Sequence, residues 1–250
     1  MTRAACLASW GALGVALVFA GSSLASAHPK LPAKYDKPPY SHMSLSVGHP
    51  NAGYQLRPKK LRGGHAVHVF EKSRAHVYGH PALVLMIERS AKQIARRFPG
   101  SVLSVGDMSD KDGGPLAGHH SHQSGRDVDL AFYVRDAKGR PVKLEHFVAF
   151  GADGKATDGS GLVFDDARNW ALVEAWAQDR RADIAYVFIS RPLKKRLLDF
   201  GAKAKNGKKL VPLVQALFMQ PENAEPHDDH FHVRIHCPKN SEDVCIEAPK

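Results

Sequence analysis

Three histidines and two aspartates fall within eleven positions of "GHHSHQSGRDVDLAF" (118–132): His119, His120, His122, Asp127 and Asp129. A second cluster, "EPHDDHFHVRIHCP" (225–238), adds His227, His230, His232 and His236. These two windows therefore hold seven of the fifteen histidines. Unpartnered imidazole and carboxylate groups are costly to bury, yet both windows run into segments that read as half-buried strands. Residues two apart on a strand share a face. His230, His232, Arg234 and His236 then point one way and Phe231, Val233 and Ile235 the other. By the same rule Asp127 and Asp129 share a face, opposite Val128 and Leu130. Two strands thus offer metal-capable groups from one face, with apolar residues behind.

Imidazole and carboxylate together suit zinc, and a catalytic zinc takes three protein ligands and leaves one position open. His122 and Asp129, seven residues apart, with a third ligand from the H-x-H strand, would complete such a set. A Ser-His-Asp hydrolase using Ser121 or Ser124 is the competing reading. It lacks the G-x-S-x-G elbow and leaves the histidine clustering unexplained. Asp127 reads either as a group orienting a ligand imidazole or as a plain strand-end carboxylate. Arg126 and Arg234 read either as binders of a peptide carboxylate or as packing and charge balance.

The elements that must position these groups can be read along the chain. Residues 28–64 are rich in Pro and Gly without helical period and read as an extended arm. Strands are expected over 65–70, 101–109, 126–134, 184–190 and 230–237. Helices are expected over 80–98, 165–179 and 191–204, with a short helical stretch over 208–218 despite Pro212. Strands and helices mix without a βαβ rhythm. The expected fold is therefore α+β, a mainly antiparallel sheet flanked by helices with the zinc site on the sheet face.

The chain has 250 residues and is 43% hydrophobic, enough for one sizeable core. Arg3, the apolar run Cys6–Ala20 and the A-x-A spacing of Ala25 and Ala27 read as a signal peptide over 1–27, with the mature chain starting near His28. The run is short for a membrane span, and no stable membrane insertion is expected once it is removed. The expected organisation is signal peptide 1–27, arm 28–64 and a domain over 65–250 that carries the zinc site. After export Cys237 and Cys245 remain, flanking a polar loop, and a disulfide between them is expected. The net charge is +10. Export argues against nucleic acid as the partner, and an anionic cell wall fits better; ordinary solubility charge is the equal alternative. The basic runs 57–60 and 203–209 read as solvated faces.

"SHQSGRDVDLAFYV" followed far downstream by "HDDHFHVRIHCP" resembles the penicillin-insensitive murein endopeptidase family, within the wider group of lysostaphin-like and D-Ala-D-Ala zinc peptidases. The shared pattern is H-x6-D and then H-x-H, with looser likeness over most of 43–245. The resemblance implies that His122, Asp129 and His232 ligate zinc, that His230 lies beside the metal-bound water, and that His227 and His119 are further active-site histidines. Imidazole chemistry then makes His230 the choice for general base and proton shuttle, with His227 or His119 a candidate donor to the oxyanion. It implies hydrolysis of D-alanyl–diaminopimelate cross-links in peptidoglycan, in the periplasm, without an acylable serine. The acidic spacer Asp228-Asp229 is expected to raise the pKa of His227 and His230. A D,D-carboxypeptidase on the same fold, or a non-catalytic wall-binding or metal-binding protein, are the alternatives. Oligomeric state is left open.

Overall fold

The computed structural model describes residues 31–220 and 225–247. The signal-peptide reading, 1–27, lies outside the described residues.

The alternating segments pair into one six-stranded sheet. Its strands, in chain order, are β3 Val67–Val69, β4 Leu103–Val105, β5 Asp127–Ala131, β6 Ile184–Phe188, β7 Phe218–Met219 and β8 His230–Ile235, which follow a hairpin of β1 Leu45–His49 and β2 Ala52–Leu56. The sheet order is β7-β6-β8-β5-β4-β3. The two central strands, β8 and β5, are antiparallel, with His232 opposite Asp129 and Arg234 opposite Asp127. That register sets the two chemical clusters side by side.

The other face of the same strands is apolar, as their period of two requires. Val128, Leu130, Phe231 and Val233 are fully buried. Helices α1 Pro81–Arg97, α2 Asp166–Gln178, α3 Arg191–Ala202 and α4 Gly207–Leu217 contribute to the same core. Trp176 of α2 meets Phe231 edge-on at 5.4 Å between ring centres, and Phe132 meets it at 4.7 Å. α1 starts where Pro81 sets the first turn, and His80 caps it by accepting from the Ala82 N–H. Asp165 caps α2 in the same way, accepting from Arg168 N–H. The α+β class and the mainly antiparallel sheet stand as expected.

The segment read as an extended arm differs from that reading. It carries the β1–β2 hairpin, and Tyr35, Leu45 and Val47 form a small core of their own with Met43, Tyr54, Leu56 and Val244. The C-terminal segment lies along β1: Gly48 N–H donates to the Val244 carbonyl and Ile246 N–H to the Gly48 carbonyl. The Cys237–Cys245 disulfide closes that segment. On its other side the hairpin holds the histidine-bearing loop. Gln123 N–H donates to the Pro50 carbonyl, Gln55 N–H to that of Asp112, and Gln55 Nε2 to that of Asp110. Gly113 has φ +73°, and a Cβ there would meet Gln55 N and Tyr54 Cα of the hairpin at 2.8 Å, so the approach of loop to hairpin needs glycine.

Candidate metal centre

β5 and β8 carry the centre, and the loop folded against the hairpin completes it. Asp129 on β5 is fully buried at the middle. Its Oδ1 lies 3.1 Å from His232 Nδ1, 3.4 Å from His122 Nε2 and 3.5 Å from His230 Nε2. Its Oδ2 lies 3.6 Å from His119 Nδ1. Asp129 is itself fixed through its backbone, which donates to the Asp107 carbonyl and accepts from Gly106 N–H. Two groups of ligand atoms lie within metal-binding spacing, His119–His122–Asp129 and His227–His230–His232. Asp129 Oδ1 touches members of both, so they form one centre.

Hydrogen bonds at the rear of each ring decide which nitrogen faces inward. His122 Nδ1 donates to the Met108 carbonyl at 2.6 Å, which leaves Nε2 bare toward Asp129. To reach this pose His122 adopts φ +69°, uncommon for a residue with a side chain. His232 Nε2 donates to Asp127 Oδ1 at 2.8 Å, which leaves Nδ1 bare. His230 Nδ1 pairs with Asp229 and turns Nε2 inward. His119 Nε2 bonds Asp107 Oδ2 at 3.0 Å, and its Nδ1 faces Asp129. His227 Nδ1 donates to Gln220 Oε1 at 3.2 Å. Five imidazoles are thus held from behind and converge on the space around one carboxylate.

These atoms pass the test of fit to a metal ion. His122 Nε2 and Asp129 Oδ1 are buried polar atoms without a hydrogen-bond partner. A bare imidazole nitrogen facing a carboxylate oxygen at 3.4 Å has no proton to share, and a cation satisfies both. Imidazole and carboxylate are the donor types that zinc accepts.

The electrostatics follow the same arrangement. Burial alone would raise the Asp129 pKa, but the surrounding imidazoles of His122 and His230 outweigh it and hold Asp129 ionised. Asp127 is held ionised against burial by the Arg234 guanidinium and by His232. For His230 burial is again opposed, and Asp129 and Asp229 together carry its pKa above the ordinary histidine value. His227 goes the other way. Burial, with His230 and His232 nearby, lowers it to about 4. The expectation that the acidic spacer would raise both histidines is therefore corrected for His227, where burial and the neighbouring imidazoles of His230 and His232 outweigh the pull of Asp129 and Asp229.

The two arginines are not free to receive a substrate carboxylate. Arg126 is fully buried and bonds Glu247 Oε2 at 3.0 Å and the Ile246 carbonyl at 2.8 Å, tying down the C-terminal segment. Arg234 Nε donates to Asp127 Oδ1 at 2.6 Å. Ser124 Oγ is buried and accepts from Arg126 Nε at 3.3 Å, so it is engaged in the same support. Sequence reasoning missed Asp107, the Met108 carbonyl and Phe147. The Phe147 ring lies against His230 at 4.7 Å between centres. Asp107 and Met108 fall in the segment read as a strand over 101–109 but lie just past its observed end at Val105, and Phe147 lies on a connecting segment; only the fold brings the three to the site.

Comparison with known proteins agrees with this geometry. A model of the penicillin-insensitive murein endopeptidase family matches residues 46–250. The penicillin-insensitive murein endopeptidase of Escherichia coli O157:H7 is 30% identical over 185 residues, covering 72% of this chain and 61% of the relative. That of Salmonella paratyphi A is 31% identical over 186 residues with the same coverage, 72% and 61%. The chain thus spans 61% of the length of the curated relatives it matches.

Proposed function

The chain belongs to the penicillin-insensitive murein endopeptidase family, and from that membership and the geometry of the site we propose that it is a zinc-dependent endopeptidase cutting the D-alanyl–diaminopimelate cross-links of peptidoglycan. The observation that carries the reading is Asp129 Oδ1, buried, ionised and faced by His122, His230 and His232 at 3.1–3.5 Å with no hydrogen-bond donor of its own.

In this reading His122, Asp129 and His232 hold the ion. A zinc ion held there supplies Lewis-acid activation of the attacking water and the scissile carbonyl. The protein's own residues do the rest. His230, with its Nδ1 on Asp229, presents Nε2 as a bare acceptor, takes the proton of the attacking water and returns it to the leaving amine. Asp127 orients His232 through Nε2. His119 and His227 have their outer nitrogens on Asp107 and Gln220 and turn their remaining nitrogens toward the centre. That arrangement supports roles as further ligands or proton acceptors better than oxyanion donation. The absence of an acylable serine from this scheme explains insensitivity to β-lactams.

The proposed setting is the periplasm, reached by way of the signal sequence, with the cross-linked wall as the partner. The test uses purified cross-linked muropeptide dimer followed by chromatography, with chelator and with zinc restored. Conversion of dimer to monomer, stopped by chelator and recovered with zinc, is the expected result. Release of free D-alanine with the dimer intact would assign a D,D-carboxypeptidase instead. No turnover by folded, zinc-loaded protein would leave a binding protein.

A further inference from the structure

The general-base reading of His230 leaves open what keeps its ring in place, since Asp229 grips only one edge. We propose that Phe147 is a positioning residue for His230, an aromatic wall that fixes the imidazole plane so that Nε2 stays aimed at the centre. The proposal rests on the catalytic reading of His230 given above.

Four observations support it. The rings of Phe147 and His230 lie 4.7 Å apart between centres with their planes tilted by 31°, a direct ring–ring contact. Phe147 is itself backed by the buried Phe70, edge-on at 5.0 Å, so the wall cannot retreat. Gly106 gives the ring its seat: a Cβ there would stand 2.4 Å from Phe147 Cζ and 2.9 Å from Cε2. Gly106 N–H also donates to the Asp129 carbonyl at 2.9 Å, so the seat is part of the backbone that carries the central carboxylate. The same loop is latched at its far end, where Phe150 N–H donates to the Asp228 carbonyl at 2.9 Å, two residues before His230. Phe147 therefore meets His230 from a segment tied to the strand His230 begins. Its ring is only half-buried, and an apolar side chain with no ring face could fill the same core volume. The ring–ring contact with His230 is the part of its environment that needs an aromatic.

Three variants separate positioning from packing. Phe147→Leu keeps apolar volume and removes the ring; kcat should fall at least about tenfold with KM little changed, because displacement of a catalytic group by about 1 Å costs up to about a hundredfold. Phe147→Tyr keeps the ring and should restore turnover. Gly106→Ala pushes the ring off its seat and should lower kcat in the same way. Combined with Phe147→Leu it should add little, since both remove one contact. Zinc content and melting temperature of each variant report folding separately. A second readout needs no turnover: in metal-free protein the His230 ring protons should be shifted upfield by the Phe147 ring in wild type and Phe147→Tyr, and not in Phe147→Leu. Unchanged kcat in Phe147→Leu, equal loss in Phe147→Tyr, or additive losses in the double variant would each overturn the proposal. If the wild type cleaves no muropeptide, the endopeptidase reading fails, while the ring-proton shifts still decide whether Phe147 holds His230.

Discussion

At the scale of single residues, the centre is built by fixing the outer nitrogen of each histidine so that the inner one is bare. This arrangement makes the roles separable by mutation. His230→Ala should keep zinc, because His122, Asp129 and His232 remain, and should lower turnover by about 10²–10⁴, the usual contribution of a general base. Cleavage assays with metal analysis of the same samples check it; full activity in the variant would remove His230 from the mechanism. Asp127→Asn should act differently. It weakens the hydrogen bond that orients His232 and should lower zinc affinity by about 10–100-fold, measured by competition with a chromogenic chelator. The sequence made the inward-facing residues legible because a strand's period of two leaves no choice once Phe231 and Val233 must be buried. The groups behind them were not legible. Asp107 and the Met108 carbonyl lie twelve and fourteen positions before His119 and His122, the rings they hold. For Arg126 and Arg234 the sequence leaves carboxylate binding and charge balance both open, because Glu247 and Asp127 reach them only in the folded chain.

At the scale of elements, helix limits were legible wherever a local rule acts. Pro81 opens α1, Asp165 caps α2, and Pro192 lies in the first turn of α3. The β1–β2 hairpin was not. Its strands contain Gly48 and Gly53, and its stability comes from partners at the far end of the chain, Val244 and Ile246. The cap of α1 carries a pH dependence that can be measured. His80 Nδ1 accepts from the Ala82 N–H, which requires a neutral ring, and burial lowers its pKa from 6.5 to about 4. The folded state thus takes up the proton later than the unfolded chain. Between pH 6.5 and about 4 the unfolded chain binds more protons, so stability falls as pH falls across that window, by on the order of 3 kcal/mol in total. His80→Asn retains a neutral cap without titrating there. Urea unfolding from pH 7 to pH 4 should show the wild type losing more stability than this variant, and parallel curves would exclude the cap as the cause.

At the scale of the whole molecule, the first and last parts of the described residues meet beside the site. The N-terminal hairpin supports the histidine loop through Pro50 and Gln55, and the C-terminal segment, closed by the Cys237–Cys245 disulfide, lies along that hairpin and receives Arg126 from β5. The α+β class could be read from the order of elements, whereas this closure could not, because it is made by contacts nearly the full chain length apart. No helix among the described residues is long and apolar enough to cross a membrane. The central claim is that one metal ion at Asp129 carries peptidoglycan hydrolysis. The most direct measurement titrates zinc into metal-free protein while following cleavage of cross-linked muropeptide dimer, for wild type and for Asp129→Ala. Wild-type activity should rise from zero and saturate at one zinc per chain, with none gained by the variant. Cleavage by the metal-free protein, or equal zinc-dependent activity in Asp129→Ala, would contradict it.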